Sequence, residues 1–410
     1  MTVAGQAPPG HDDPADNAPL AGTRVLDLSR YVSGPSCGRL LADLGADVVK
    51  VEPPEGDPSR SVQPKVGSSS IYFTQQNAGK RSLCVDLRAP GGAELVARLA
   101  TNVDVLLENF RSGVLARQRL DSATLLERNP SLIYCSITGY GQTGVWSGRR
   151  AFAPLVHAEA GTLELAARKR GARPAPEVQS HGDVYPGMLA ANAILAALLQ
   201  RQHTGLGQHI DVSMAEALVY TNEWSGVEVH GFEGVQLFGA WNAPVTPLSD
   251  GRMVAFAGNP IFTFPRWAAA MGTPELLQEE RFATVEARQA HAAEVHALIA
   301  DFVACFDCVE AVEEALEPHN VPVGLVRSLP ELAASAWAVE RGVFTEPEAG
   351  VVVPAAPWRS SASTVGLAGK AAGLGEHNRE VLREVAGMTD AEINGLEASG
   401  VIGSGRGGER

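Results

Sequence analysis

Short apolar runs alternate with helical patterns in the first part of the chain. The runs at 23–28 (TRVLDL) and 46–52 (ADVVKVE) are typical of buried strands. Between them, the stretch at 35–45 (PSCGRLLADLG) has helical periodicity, with a proline in its first turn and a glycine at its end. A strand, a helix and a strand within about 30 residues form a βαβ unit, so we expect a parallel sheet.

The same alternation continues along the next part of the chain. Apolar runs lie at 82–87, at 103–110 and within 127–141, and a helical pattern lies at 90–102. These elements predict an α/β fold with a Rossmann-like open parallel sheet in a large domain. Ligands of such sheets bind at the carboxyl ends of the strands. Those ends are the loops at 29–34, 87–90, 108–113 and 137–144.

The second half of the chain has a different pattern. An alanine-rich helix is predicted at 184–202 and a strand at 209–214, and from about 225 the helical runs become shorter and less regular. We predict a smaller inserted α+β domain there, with a hairpin turn at 249–252 (SDGR) and a return to the large domain at 321–328. The predicted segments are a disordered lead-in at 1–21, the large domain at 22–224, the small domain at 225–325, the return to the large domain with an extended segment at 326–403, and a flexible tail at 404–410.

Composition narrows the class of protein. The chain has 410 residues, 45% of them hydrophobic, and a net charge of −14, which argues against nucleic acid and anionic membranes as main partners. The N-terminus lacks the pattern of a signal peptide, and the five cysteines suit a reducing compartment, so we expect a cytoplasmic protein. Cys305 and Cys308 have no second pair with zinc-ligand spacing, so no metal site is predicted.

Several common catalytic motifs are absent, which leaves a carboxylate as the candidate. The loop after the first strand has no GxGxxG pattern, and the sequence has no P-loop, GxSxG or HExxH pattern. Residues 180–187 read SHGDVYPG and precede the alanine-rich helix, so Asp183 is either its N-cap or a reactive group. The helix N-terminus is expected to keep Asp183 ionised, and nearby N–H groups to stabilise an oxyanion. Gly182 and Gly187 leave space for a substrate, and Pro186 is expected in the first helical turn.

Six stretches in a fixed order resemble one known family. They are GTRVLDLSRYVSGPSCGRLLADLGADVVKVEPPEGDPSR, NAGKRSLCVDLRAPGG, DVLLENFRSGVL, YCSITGYGQTG, GDVYPGMLAANAILAALLQRQHTGLGQHIDVSM and GEHNREVL, and together they span most of the chain. The sequence resembles the class III CoA-transferases, the CaiB/BaiF family, which includes formyl-CoA transferase and carnitine CoA-transferase. The resemblance implies the family fold, an intertwined homodimer, and acyl-CoA and a carboxylic acid as substrates with no permanently bound cofactor.

The resemblance also assigns roles to residues. Asp183 would attack the thioester to give an aspartyl–acyl anhydride and then an aspartyl–CoA thioester. Arg88 and Arg117 would contact phosphates of CoA and Phe110 would flank its adenine; without the resemblance, these arginines would be interpreted as ordinary solvated residues. The implied CoA-binding residues are Val32, Ser33, Val85, Asp86, Leu87, Arg88, Asn109, Phe110, Arg111 and Arg117.

Three departures from the family pattern limit the functional prediction. Val32 stands where formyl-CoA transferase has a glutamine, and 231–244 is a poor match to the family's glycine-rich active-site loop. Phe152 stands where the α-methylacyl-CoA racemases have their histidine, so racemisation is the disfavoured alternative. A CoA-binding protein without turnover is the other alternative. Aromatic residues within or directly before the predicted small domain favour a large apolar acid pocket; they are Trp224, Phe232, Phe238, Trp241 and Phe256.

Overall fold

The computed structural model describes residues 17–231, 239–366 and 369–403. The chain divides into two compact units. Unit 1 comprises Met1–Arg168, Arg173–Ser225 and Trp337–Arg410, and unit 2 comprises Lys169–Ala172 and Gly226–Ala336. Residues 232–238, with Phe232 and Phe238, and the predicted tail at 404–410 lie outside the described residues.

The strands of the described residues are, in chain order, β1 (Arg24–Asp27), β2 (Asp47–Glu52), β3 (Lys65–Val66), β4 (Ser69–Ser70), β5 (Arg81–Cys84), β6 (Val105–Glu108), β7 (Ile133–Thr138), β8 (Gln208–Ser213), β9 (Val245–Pro247), β10 (Met253–Phe256), β11 (Val323–Leu325), β12 (Phe344–Glu348) and β13 (Val351–Pro354). The α-helices are α1 (Ser33–Asp43), α2 (Ile71–Asn77), α3 (Gly92–Ala100), α4 (Ser122–Arg128), α5 (Ala153–Glu159), α6 (Thr162–Arg170), α7 (His181–Thr204), α8 (Met214–Thr221), α9 (Ser225–Val229), α10 (Pro260–Ala270), α11 (Val285–Ala290), α12 (Ala292–Val303), α13 (Val309–Leu316), α14 (Leu329–Ala333), α15 (Ala336–Arg341), α16 (Asn378–Glu384) and α17 (Asp390–Ala398).

A six-stranded sheet in the order β5-β2-β1-β6-β7-β8 forms the centre of unit 1, and all its neighbouring strands are parallel. The predicted α/β fold with a parallel central sheet is therefore confirmed. The chain order reverses between β1 and β6, which is the topological switch point of a Rossmann-type sheet. The loops after these two strands are therefore the expected borders of a ligand crevice.

Helices cover both faces of this sheet, which explains the continuous apolar runs of its strands. Neighbouring residues of a strand point to opposite faces. Val25 and Val105 pack with α1, α7 and α8, whereas Leu26 and Leu106 pack with α3, α4, α16 and α17. The C-terminal part of the chain is thus part of the core of unit 1. The segment at 326–403, predicted to include an extended stretch, contains the β12–β13 hairpin.

Unit 2 has its own sheet and core. Strands β9, β10 and β11 form an antiparallel sheet, and the turn predicted at 249–252 lies in the hairpin between β9 and β10. Pairing of β11 with β10 keeps 323–325 in unit 2, so the predicted return to the large domain at 321–328 is wrong; unit 1 resumes at Trp337. Phe256 is buried against Trp267 with ring centroids 4.9 Å apart, so Phe256 is a core residue and not part of an acid pocket.

Two further expectations need correction. The predicted disordered lead-in includes Leu20, but Leu20 is buried in the core and its N–H donates to the Leu44 carbonyl at 2.9 Å. The described residues from 17 to 21 are therefore part of the fold. Helix α7 is long and apolar enough to cross a membrane by length and composition alone. Its residues Ala190 and Ile194 are buried against the sheet, as expected of a core helix.

Candidate active site

The loop after β1 is tied to the loop after β6 by one side chain. Asn109 accepts a hydrogen bond from the Arg30 N–H at 2.8 Å and donates to the Arg30 carbonyl at 2.8 Å. The same amide donates to Ser33 Oγ at 3.0 Å, at the start of α1. Asn109 therefore fixes the two borders of the switch point relative to each other.

Two buried charged residues, Lys50 and Asp57, bind the backbone of the loop after β1. The Lys50 ammonium donates to the Ser29 carbonyl and to the Asp57 carboxylate, each at 2.9 Å. Both Asp57 oxygens accept from the Tyr31 N–H, at 3.2 and 3.3 Å. Burial would raise the pKa of Asp57, but Lys50 and Ser59 outweigh it and hold that pKa below its ordinary value. These bonds keep Tyr31 at φ 64, a left-handed conformation that costs a side-chain-bearing residue about 1 kcal/mol.

A cleft of about 250 Å³ lies over the carboxyl ends of β1, β2 and β5. Arg30 is one of its residues and was not among the predicted contacts; its guanidinium lies 5.1 Å from the Phe110 ring centroid. The only hint of Arg30 in the sequence is its position in a loop at the end of a strand. The predicted CoA-binding residues that line this cleft are Val85, Asp86, Leu87, Arg88 and Phe110.

Arg88 is exposed but has carboxylate partners. Its guanidinium donates to Asp86 at 2.9 Å and to Glu55 at 2.8 Å. These charge-assisted bonds raise the pKa of Arg88 above its ordinary value, with Asp86 contributing most. A phosphate that binds Arg88 would therefore have to replace one of these two carboxylates.

The other predicted contacts lie apart from this cleft. Val32 and Ser33 are buried at the start of α1, where Ser33 contacts Asn109. Arg111 lines a second cleft, of about 260 Å³, and donates to the Gly148 carbonyl. Arg117 is exposed in a 3-10 helix at Ala116–Gln118, and it lines neither cleft.

The second cleft contains a polar chain that no local motif reveals, with Glu108 and Ser136 buried and His209 exposed. Burial raises the pKa of Glu108 to about 7, although a hydrogen bond with Ser136 and the Phe110 N–H oppose the shift. Ser136 Oγ lies 3.0 Å from Nε2 of His209. Glu108 and His209 come from strands that are not adjacent in the sheet, so no local motif connects them.

Asp183 is the third residue of α7, and the helix starts earlier than the predicted residue 184. The N-cap is Ser180, so the prediction that Asp183 is the N-cap is wrong. Pro186 consequently lies inside the helix and not in its first turn, and it removes a bond to the Gly182 carbonyl. A methyl group at Gly187 would lie 2.5 Å from the Ser33 carbonyl oxygen, so Gly187 allows close packing with α1.

The first N–H groups of α7 already have acceptors. His181 N–H donates to the Gln179 carbonyl at 2.9 Å, and Gly182 N–H donates to Nε2 of His157 at 2.8 Å. Asp183 and Val184 N–H groups both donate to the Ser180 carbonyl, at 2.9 and 3.0 Å. These amides are therefore not available to an oxyanion beside Asp183, contrary to the expectation from the sequence.

The carboxylate of Asp183 lies in a desolvated position. Burial raises its pKa to about 6, and no hydrogen bond or cation from the described part of the chain opposes this shift. The expectation that the helix N-terminus lowers this pKa is wrong, because the N–H groups bind other acceptors. Asp183 is close enough to raise the pKa of the Tyr72 phenol, after the larger effect of burial. A desolvated carboxylate of this kind is ionised near neutral pH and is more basic than an ordinary aspartate.

His157 supports the first turn of α7. It is a buried residue of α5, and burial lowers the pKa of its imidazole. Accepting the Gly182 N–H requires a neutral ring with its proton on Nδ1. No local motif indicates this contact, because it depends on the packing of α5 against α7. His181 instead stacks on Tyr185, with ring centroids 4.9 Å apart.

The chain is similar to known proteins over nearly its whole length. The family model described as CoA-transferase family III matches residues 20–378. The succinate–glutarate CoA-transferase of Agrobacterium fabrum is 34% identical, over 91% of this chain and 97% of that protein. The formyl-CoA:oxalate CoA-transferase of Streptomyces avermitilis is 32% identical, over 93% of this chain and 99% of that protein.

Solved structures show the same relationship. The crystal structure of a CaiB/BaiF family protein from Brucella suis has a TM-score of 0.79 and 33% identity, and the match covers 90% of this chain and 100% of that one. A hypothetical protein from Mycobacterium tuberculosis has a TM-score of 0.76 and 28% identity, over 88% of this chain and 98% of that one. The chain therefore belongs to CoA-transferase family III, and it is an enzyme that transfers coenzyme A.

Proposed function

We propose that this enzyme moves CoA from an acyl-CoA thioester to a carboxylic acid, with Asp183 as the covalent nucleophile. The observation that supports this role best is the desolvated Asp183 carboxylate, whose pKa burial raises to about 6. Water stabilises an ordinary carboxylate and makes it a poor nucleophile. Removal of that water, together with a fixed position on α7, increases its reactivity towards a thioester.

The proposed reaction has balanced covalent steps. A carboxylate oxygen of Asp183 attacks the thioester carbonyl, the carbon–sulfur bond breaks, and CoA leaves as a thiolate. The thiolate attacks the aspartyl carbonyl of the anhydride, which forms the aspartyl–CoA thioester and releases the first acid with one oxygen from Asp183. The second acid attacks this thioester, CoA leaves again, and the thiolate attacks the new acyl group and regenerates Asp183. Covalent catalysis of this kind divides one difficult transfer into easier steps.

The crevice residues would hold CoA in the proposed reaction. Phe110 and Arg30 offer an aromatic face with a guanidinium above it, a pair suited to an adenine ring and a nearby phosphate. Arg88 would exchange Glu55 for a phosphate, since both of its present partners are carboxylates on an exposed surface. The homodimer and the cytoplasmic location implied by the sequence remain predictions.

The named relatives indicate the substrate class only in broad terms. Their names give succinate, glutarate, formyl-CoA and oxalate as substrates, all of them carboxylic acids or acyl-CoA thioesters. For this chain we propose the same pairing of one acyl-CoA with one free acid. The alternative of a CoA-binding protein without turnover is wrong, because the chain belongs to a family of enzymes that transfer CoA.

The test is CoA exchange between an acyl-CoA and its own isotopically labelled acid, measured for a panel of acids. We expect Asp183→Ala and Asp183→Asn to lose exchange by a factor of about 10³ or more, because no nucleophile remains. The matched control is Glu340→Gln, at an exposed carboxylate of α15, which should keep full exchange. Full exchange in Asp183→Ala would contradict the proposal. Exchange of an α-proton into deuterated water without CoA transfer would favour the racemase alternative.

A further inference from the structure

Asp183 lies between two helix–helix contacts of α7. A methyl group at Gly182 would lie 3.2 Å from Cα of Ala153, the first residue of α5. A methyl group at Gly187 would lie 2.3 Å from Oγ of Ser36, in the first turn of α1. The turn of α7 that carries Asp183 is therefore flanked by the starts of α1 and α5.

Two aromatic residues meet where these two helices start. Tyr31 precedes α1 and Phe152 directly precedes α5, and their rings pack edge to face with centroids 5.9 Å apart. Both rings keep much of their surface exposed, 45% for Tyr31 and 55% for Phe152. The pair therefore presents an apolar wall beside the turn of α7 that carries Asp183.

The position of the Tyr31 ring is imposed by its backbone. Tyr31 has φ 64, and the Asp57 carboxylate binds its N–H while Lys50 binds that carboxylate. A left-handed conformation at a bulky residue is unfavourable and persists only where the surroundings hold it. An exposed aromatic ring held in such a conformation is more consistent with a role in ligand contact than with a loose surface side chain.

Arg150 is exposed two residues before Phe152, whereas two other arginines of these loops have partners. Arg30 lies over Phe110 in the crevice, and Arg149 pairs with Glu159 and lies 5.1 Å from the Tyr140 ring centroid. Within the described ranges, no lysine or arginine contributes to the pKa of Asp183. A second carboxylate on the acyl group would therefore be desolvated beside an anionic residue, whereas an apolar acyl group would gain from contact with the two rings.

We propose that Tyr31 and Phe152 form the wall of the acyl subsite, and that this enzyme takes apolar acids with an aromatic or branched chain in preference to short dicarboxylates. The inference rests on the proposed role of Asp183. The proposed acids differ from the acids in the names of the relatives, and the wall that would select them is a contact between two residues far apart in the sequence.

The probes are acetate, succinate and phenylacetate, each exchanged between its own acyl-CoA and the labelled free acid. Such self-exchange needs no knowledge of the natural partner acid. We expect phenylacetate to exceed succinate in kcat/KM by about tenfold or more, as contact with an apolar pocket commonly gives. Phe152→Ala should lower kcat/KM for phenylacetate by about tenfold and should change kcat/KM for acetate by less than about threefold. Phe152→Leu, which keeps an apolar side chain, should retain most of the phenylacetate activity, and Trp337→Ala is the control at another exposed ring.

The outcomes separate this inference from the proposed function. Faster exchange of succinate than of phenylacetate by the unaltered enzyme would overturn the inference and leave the role of Asp183 intact. That comparison needs no variant, so misfolding of Phe152→Ala does not affect it. If a folded Phe152→Ala variant loses the same fraction of kcat/KM with all three acids, Phe152 has only a structural role, and this result would also overturn the inference. If the enzyme prefers dicarboxylates and Arg150→Ala removes that preference, the acyl subsite is assigned to Arg150 instead. Absence of exchange with every acid would count against the proposed function itself.

Discussion

The backbone N–H of Gly182 donates a hydrogen bond of 2.8 Å to Nε2 of His157. This bond joins α5 to the first turn of α7 one residue before Asp183. It is made in a buried position, so the N–H would have no water to replace His157. His157 is thus a positioning residue for Asp183, and its neutral form is the one that can accept this bond.

Substitution of His157 should weaken both stability and transfer. His157→Ala leaves the buried Gly182 N–H without an acceptor, which we expect to cost about 1–3 kcal/mol of unfolding free energy and to lower kcat. His157→Gln offers a carbonyl acceptor and should restore part of both. Urea unfolding and exchange kinetics measure the two effects. Equal behaviour of the Ala and Gln variants would contradict the positioning role.

The pH dependence of exchange should reflect two groups. In the proposed mechanism, transfer requires ionised Asp183, whose pKa burial raises to about 6, and neutral His157, whose pKa burial lowers. Glu177 raises the pKa of His157 and His181 lowers it, and both effects are smaller than that of burial. Activity should therefore fall as the pH decreases, more steeply than for a single ionisation. In His157→Gln the decrease in activity with decreasing pH should fit a single ionisation. An unchanged slope of log activity against pH would show that His157 does not titrate in this reaction.

Asp183→Asn should make the protein more stable at neutral pH. A pKa that is raised in the folded state means that folding disfavours the ionised carboxylate. Asp183 therefore lowers the free energy of unfolding most above about pH 6, and this loss disappears below the pKa of the unfolded state. After allowance for partial exposure, we expect a gain of about 1–3 kcal/mol near pH 7.5 that shrinks towards about pH 4. Urea unfolding at both pH values measures it. A gain that is larger at the lower pH would show that the pKa of Asp183 is not raised.

Gly187→Ala should disrupt the contact between α7 and α1. The added methyl group would lie 2.3 Å from Ser36 Oγ and 2.5 Å from the Ser33 carbonyl oxygen, so the helices must separate. We expect a loss of about 1–3 kcal/mol in unfolding free energy and a lower kcat, because Asp183 lies one helical turn away. The matched control is Gly395→Ala in α17, where no atom lies within 4 Å of the added group. The control should be neutral or slightly stabilising. Similar losses in both variants would argue against the packing explanation.

Asn109→Ala should loosen the borders of the crevice. The change removes two hydrogen bonds to the Arg30 backbone and one to Ser33. We expect KM for acyl-CoA to rise by about tenfold, with a smaller effect on kcat, because the role proposed for Asn109 is to order a loop that binds CoA. Asn102→Ala on the surface is the control. A fall in kcat with unchanged KM would place Asn109 in the chemical step.

The sheet and the site differ in how well the sequence predicts them. Val25 and Leu26 belong to a continuous apolar run because both faces of β1 are covered, and such runs are visible in the sequence. Helix α7 is predicted from its composition, and Asp183 from the motif at its start. The pKa of Asp183 is mispredicted, because the acceptors of the first N–H groups come from Gln179, Ser180 and His157 and no helix rule reveals the last of these.

Contacts between distant segments explain the other differences. Arg88 is predicted as a free phosphate ligand, but Glu55 reaches it from the loop after β2, more than 30 residues away. Phe256 has the composition of a pocket residue and packs into the core of unit 2 because β10 faces α10 there. Tyr31 and Phe152 are far apart in the chain, so their contact follows only from the packing of α1 and α5 around α7.

The most direct test of the role of Asp183 is peptide mass spectrometry of the enzyme quenched during turnover with an acyl-CoA that supports exchange. The peptide containing Asp183 should gain the mass of the acyl group or of CoA with loss of water, and fragmentation should assign the adduct to Asp183. The adduct should be absent from Asp183→Asn. An adduct on another residue, or turnover with no adduct on Asp183 under quenching that preserves thioesters, would contradict the central claim that this carboxylate carries the transferred group.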